Sequence, residues 1–153
     1  MENIHIRKAI VADLPVLLAF EQAIITAERP YDVTIKEGTF HYYDIADLIA
    51  SPHAEVLVAE YDGQVIGSGH ARIREAKPYL LFPQYAYLGF MYVDPAHRGK
   101  GVNKLIVEGL KAWAAAQGMV EVRLDVYAEN EAAVRAYEKA GFQQLLVEMR
   151  LPL

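Results

Sequence analysis

The stretch Tyr87–Lys104, YLGFMYVDPAHRGKGVNK, constrains this chain more than any other part of it. Leu88 to Val93 is an apolar run that predicts a strand. Asp94-Pro95 ends it, because proline brings no donor to a sheet ladder. A basic loop follows, Ala96-His97-Arg98-Gly99-Lys100-Gly101, and then an amphipathic helix. Strand, glycine loop and helix N-terminus in series form an anion-binding device. Glycines let consecutive backbone N–H groups approach a phosphate, and the positive helix end favours its charge.

The rest of the chain must supply a ligand class and a use for it. At 153 residues there is room for one domain with a real core, taken here as 1–153. The net charge of −5 and pI of about 5.5 argue against a nucleic-acid partner, which wants a basic footprint. Without cysteine, disulfides, thiolate metal sites and a cysteine nucleophile are excluded, and no metal site is expected. The start, Met1-Glu2-Asn3, does not read as a signal peptide, and no apolar run approaches the roughly 18 residues of a membrane span. A cytoplasmic protein without a membrane partner is the expectation.

Ile4 and Ile6 predict a first strand over 3–8. Asp13 as N-cap and Pro15 in the first turn open a helix that Leu14, Leu17, Leu18, Ile24 and Ile25 carry to about Ala27. A polar connection, Ala27–Thr39, leads to a short helix over 43–50. Glu55–Tyr61 and Gln64–Arg74 read as two strands joined by Asp62-Gly63, a strong hairpin signal. Gly67 and Gly69 in the second of them predict close approach of another element. Residues 76–86, with two prolines, read as an apolar loop, either tucked on the core or a substrate-side lid.

Val102, Leu105, Ile106, Gly109 and Trp113 mark one face of the helix after the glycine loop, and Gly118 stops it. Alternation from Val120 to Val126 predicts a strand. Asn130 opens a last helix, Gly141 closes it, and Phe142–Leu153 reads as a final strand. The order β-α-α-β-β-β-α-β-α-β defines a mixed α/β (α+β) chain.

Three phosphate ligands compete for the loop. A nucleoside-triphosphate P-loop needs G-x-x-x-x-G-K-[ST], which is absent. A dinucleotide fingerprint fails at its third glycine, although Asp125 imitates its ribose-binding acid. The third reading uses more residues. Val93-Asp94-Pro95, Arg98–Val102, Asn130 with Tyr137 seven residues on, and Lys139-Ala140-Gly141-Phe142 together resemble the GNAT superfamily of N-acetyltransferases.

That resemblance implies a central, mostly antiparallel twisted sheet flanked by helices, with fourth and fifth strands splayed around acetyl-CoA. The cofactor-binding residues it implies are Met91, Tyr92, Val93, Arg98, Gly99, Lys100, Gly101, Val102, Asn103, Asn130 and Tyr137. It implies backbone N–H groups of Phe90–Val93 at the thioester oxygen and Tyr137 as general acid toward the departing sulfur. Asn130 also suits an N-cap, and Tyr137 a core aromatic. Two positions depart from the pattern: Asn103 stands where a small residue is usual, and Gly89 where many relatives carry a glutamate base.

Glu60, His70, Asp44, Glu148, Tyr85, Tyr87 and Tyr92 are the substitutes for that base. The resemblance further implies a primary amine of a small molecule, peptide or protein as acceptor, with Glu28–Asp32, Tyr42, Tyr43 and Tyr79–Tyr85 as candidates for its pocket. Arg29 or Lys36 would suit a substrate carboxylate, Glu28 and Asp32 a second ammonium. A catalytically silent acyl-CoA-binding or sensing module is the alternative that Gly89 leaves open. Relatives place two strands after the last helix, so a homodimer in which a second subunit completes the sheet is a further expectation.

Overall fold

The computed structural model describes residues 3–153; Met1 and Glu2, on which the signal-peptide reading partly falls, lie outside them. The elements are β1 (His5–Lys8), α1 (Leu14–Glu28), α2 (Ile45–Ala50), β2 (Ala54–Tyr61), β3 (Gln64–Glu75), β4 (Gln84–Val93), α3 (Val102–Ala116), β5 (Val122–Leu124) and α4 (Glu131–Lys139). The strands form one sheet in the order β1-β2-β3-β4-β5, antiparallel except for the parallel pair β4 and β5.

Strict alternation along β2 gives the sheet two buried faces. Leu57 and Ala59 join Ile66, Leu88, Val102, Ile106 and Leu110 under α3. Val56 and Val58 join Leu17, Phe20, Ile45 and Phe90 under α1 and α2. The expected close approach at Gly69 is real: a Cβ there would lie 2.6 Å from Ile106 Cγ2 and 2.8 Å from Met91 Sδ. Gly69 therefore lets α3 settle onto β3.

Four expectations are corrected. Asp13 does not cap α1 with its side chain. It accepts from the Ile10 N–H at 2.8 Å and takes the Arg7 guanidinium at 2.8 and 2.9 Å, locking the turn between β1 and α1. The β4 strand begins at Gln84, immediately after Pro83, so the predicted loop 76–86 ends earlier. Pairing with β3 as far as Glu75↔Gln84 supplies the hydrogen bonds that its aromatic sequence did not advertise. The fifth strand holds only Val122–Leu124 of the predicted 120–126.

The largest correction is at the end of the chain. Among the described residues, none of 142–153 belongs to a strand. The alternating pattern is present, but a strand exists only through a hydrogen-bonded neighbour, and this segment has none.

Candidate active site

The fourth and fifth strands pair only at Ala86↔Val122, Tyr87↔Arg123 and Leu88↔Leu124. Beyond Leu88, the segment Gly89–Val93 has no strand neighbour on that side, and a cleft opens between β4 and the chain leaving β5. At this point Phe90 has φ +56°, a conformation that costs a non-glycine residue about 1–3 kcal/mol and marks functional backbone. The β3–β4 register shifts there, between Ser68 and His70. Two side chains hold the distortion. The Tyr43 hydroxyl accepts the Phe90 N–H at 3.2 Å, and the buried Ser68 hydroxyl donates to the Phe90 carbonyl at 3.0 Å.

One wall of the cleft is backbone. The Asp94 carboxylate accepts from the Ala96 N–H at 3.0 Å, fixing the turn after β4. Gly99 and Gly101 then adopt φ +74° and +82°, and an added Cβ at either would meet nothing within 4 Å, so the loop faces open space. α3 starts at Val102 with no side chain capping it. Its first amides are therefore left for an external anion, the positive end of the helix behind them.

Arg98 folds back, donating to the Val93 carbonyl at 3.0 Å with its guanidinium 5.9 Å from the Tyr92 ring. Tyr92 in turn packs on Phe20 at 4.4 Å, while Met91 turns to the α3 face against Gly69. Lys100 is exposed at the loop tip. A pyrophosphate-bearing ligand fits this wall, because the loop offers amides and cations together.

Asn130 is the N-cap of α4, accepting from the Ala133 N–H at 3.3 Å, so the capping role is real. Tyr137 is half-buried and stands 5.7 Å from the Phe142 ring. Burial raises its phenol above the ordinary value, and the Asn103 side chain beside it draws the value part of the way back. Asp125, the ribose-acid imitator, is engaged elsewhere, accepting the Tyr87 hydroxyl at 3.0 Å.

The opposite wall is side chain. Glu21, fully buried on α1, accepts the N–H groups of Tyr42 and Tyr43 at 3.0 and 2.9 Å and lies 2.6 Å from His41 Nδ1. This carboxylate ties an irregular segment to the helix and thereby sets Tyr43. Sequence reasoning missed it, yet a signal existed: Glu21 falls on the stripe Leu17–Glu21–Ile25, where every other member is core. Tyr31 and Tyr127 stack at 5.8 Å across the mouth. Burial pushes Glu28 up, with the neighbouring Tyr42 hydroxyl opposing, and burial followed by Glu28 pushes Tyr42 up.

The substitutes for a base are dispersed. Glu60 is bound to Arg7 at 2.6 Å, on the β1–β2 pair away from β4. Asp44 caps α2 by accepting from the Asp47 N–H at 3.1 Å. Glu148 lies in the exposed tail. His70 explains Gly89 instead. Its imidazole is fully buried, and a Cβ at position 89 would lie 2.5 Å from its Cε1, so glycine is required there. Neither ring nitrogen has a hydrogen-bond partner, and burial, helped by Arg72 and Arg74, pushes its pKa down to about 4. For the substrate carboxylate, Arg29 is already committed to the Lys36 and Gly38 carbonyls at 3.3 and 2.7 Å.

Strands that part beyond Leu88 and an uncapped, glycine-entered helix beside them are the frame of an acyl-CoA-using transferase fold. Comparison bears this out: the Acetyltransferase (GNAT) family matches residues 22–142. The chain is 29% identical over 105 residues to an aminoglycoside N(6')-acetyltransferase type 1 of Stenotrophomonas maltophilia, covering 65% of this chain and 67% of that one. It is 31% identical over 103 residues to the N-alpha-acetyltransferase RimI of Mycobacterium tuberculosis, covering 67% and 60%. An aminoglycoside N-acetyltransferase, AAC(6')-Iy, solved in complex with CoA, shares the fold with a TM-score of 0.73 at 19% identity, covering 97% of this chain and 100% of that one. The chain belongs to the GNAT family and is an acetyl-CoA-dependent N-acetyltransferase. Among the described residues no cluster of metal-ligating side chains occurs, and no helix is long and apolar enough to cross a membrane.

Proposed function

We propose that the protein moves the acetyl group from acetyl-CoA directly to a primary amine of a small molecule or of a peptide or protein, with Tyr137 as the proton donor. What supports this reading is a half-buried Tyr137 whose phenol burial keeps above its ordinary value, with Asn103 of the first turn of α3 acting on it. Bound acetyl-CoA supplies a thioester carbonyl; the amides of Val102 and its neighbours, with Arg98 and Lys100, hold the pyrophosphate.

The incoming nitrogen attacks the carbonyl carbon, the new C–N bond forms as the C–S bond breaks, and the Tyr137 hydroxyl proton passes to the departing sulfur. The amine, neutral when it attacks, loses its own proton to solvent, and solvent returns one to the Tyr137 phenolate. A phenol raised by burial is fully protonated at neutral pH, as a donor must be. Asn130 contacts the CoA arm while its side-chain oxygen caps α4.

On the acceptor side, Glu28 and the tyrosines Tyr31, Tyr42, Tyr43 and Tyr127 favour a cationic substrate over a carboxylate-bearing one. Arg29 is spent on its own loop, whereas Glu28 makes no ion pair among the described residues. An aminoglycoside-like or peptide amine fits that balance.

The test is Tyr137→Phe assayed by CoA thiol release against an amine panel. Turnover should fall about 10²–10⁴-fold, with acetyl-CoA affinity by calorimetry unchanged. Equal turnover would remove Tyr137 from the chemistry. Tight acetyl-CoA binding with no turnover by the unaltered protein across the panel would replace this reading with a silent acyl-CoA module.

A further inference from the structure

We propose that Tyr43 is a positioning residue of the transfer: its hydroxyl holds the β4 bulge that turns the amides of Met91 and Val93 into the cleft. The first observation is the direction of the β4 amides. Along an unbroken strand, successive N–H groups point to opposite edges. Near the start of β4 the Ala86 N–H donates to the Glu121 carbonyl at 3.1 Å, so even-numbered amides face β5 there. Just past its end the Asp94 N–H donates to the Ile66 carbonyl at 2.7 Å, so even-numbered amides now face β3. The change falls where His70 stands opposite Gly89 and Ser68 opposite Tyr92, which leaves one residue more on β4 than on β3. The amides of Met91 and Val93 are thereby presented to the open side. The Val93 carbonyl agrees, since Arg98 Nε takes it at 3.0 Å.

The second observation is what keeps the bulge in place. Phe90 at φ +56° lacks a glycine's freedom, and such a conformation persists only where the surroundings over-determine it. Its carbonyl is held by Ser68, which belongs to the sheet itself. Its N–H is held from outside the sheet, by the Tyr43 hydroxyl at 3.2 Å. Phe90 is buried, and a buried amide without an acceptor costs about 1–3 kcal/mol. The hydroxyl therefore bears directly on whether the bulge stays at this residue.

The third observation is how Tyr43 is itself held. Glu21 accepts its backbone N–H at 2.9 Å and ties it to α1. Its ring lies 5.1 Å from the His70 ring and 5.6 Å from the Phe90 ring. A Cβ at position 89 would stand 3.4 Å from Tyr43 Oη, so Gly89 and the hydroxyl share one small space. The irregular segment before α2 thus sets the backbone of the opposite wall. The effect on turnover rests on the proposed transferase reading; the hold on Phe90 does not.

Hydrogen exchange on the free protein reads that hold without any activity. The amides of Phe90, Tyr92 and Asp94 should be protected, and those of Met91 and Val93 should exchange faster. Tyr43→Phe keeps the ring and removes the acceptor. Its Phe90 amide should exchange about tenfold faster, the loss of one hydrogen bond, while Leu57 and Val58 keep their rates. In thiol release the same variant should lose about tenfold in kcat per folded molecule, with the amine KM unchanged. Should it not fold, Tyr43→Leu, which also lacks the acceptor, replaces it with the same expectations. A raised amine KM with kcat kept would make Tyr43 a wall of the acceptor pocket and overturn the positioning role. Lower stability with kcat per folded molecule unchanged would reduce the hydroxyl to a structural one and overturn it equally. Unchanged protection of Phe90 in the variant, or protected Met91 and Val93 amides in the unaltered protein, would overturn the hold itself. If the unaltered protein turned over no amine, the transferase reading and the role in turnover would fall together, while faster exchange at Phe90 would still establish the hold.

Discussion

The two walls of the cleft are made of different materials. The wall proposed for the cofactor is peptide backbone: Gly99 and Gly101 in left-handed conformation and the uncapped first turn of α3. The wall proposed for the acceptor is a lattice of side chains, with Glu21, Glu28, Tyr42, Tyr43 and His70 each depending on a neighbour. A backbone site answers to conformation and hardly to pH. A side-chain site answers to protonation and to the volume of single groups. The same cleft thus presents a fixed half for a constant ligand and an adjustable half for a variable one.

This contrast is open to attack. The largest expected effect is on the acceptor side, from acid. The His70 pKa falls from an unfolded value near 6.5 to about 4, so the unfolded chain binds more protons between those limits. The neutral buried imidazole is therefore favoured above pH 6.5, and stability is lost as pH drops towards 4, by about 3 kcal/mol from this group. Urea titrations at stepped pH should show that slope, and His70→Asn should flatten it. A slope unchanged by the substitution would assign the acid sensitivity elsewhere.

A volume change comes next. Gly89→Ala pushes a methyl group into the imidazole and should destabilise the fold by about 1–3 kcal/mol. His70→Ala added to it should recover most of that loss, because the clash goes with the ring. An additive double-mutant cycle would break the link between the two positions.

On the backbone wall, Gly101→Ala places a Cβ at φ +82° and should cost about 1–2 kcal/mol, read as roughly tenfold weaker acetyl-CoA binding in calorimetry. The loss should be flat from pH 6 to 8. The smallest effect is expected for Glu28→Gln. It should raise the acceptor KM about fivefold, near 1 kcal/mol, and leave the acetyl-CoA KM alone.

Legibility in the sequence follows the same division. The cofactor wall could be read because glycine spacing, a strand stop and a helix start are local, and local chemistry dictates local backbone. The acceptor wall depends on contacts between residues far apart in the chain. Tyr43 meets Phe90 across 47 positions, and His70 faces Gly89 through sheet register, so neither relation has a local signature. The tail was legible as an alternating pattern but not as a structure, because pattern names a face and pairing makes a strand.

The carboxylate of Glu21 has one more consequence. It is the acceptor for two consecutive amides in a segment that belongs to neither helix nor strand. In solvent exchange the Tyr42 and Tyr43 amides should consequently behave like those of a core element, while Thr34 to Gly38 nearby exchange as an ordinary surface loop. The segment that shapes the acceptor mouth is irregular in outline yet opens only when α1 itself loosens. Its rigidity is borrowed from the helix through two adjacent side chains, since Gln22 also donates to the Phe40 carbonyl at 2.8 Å.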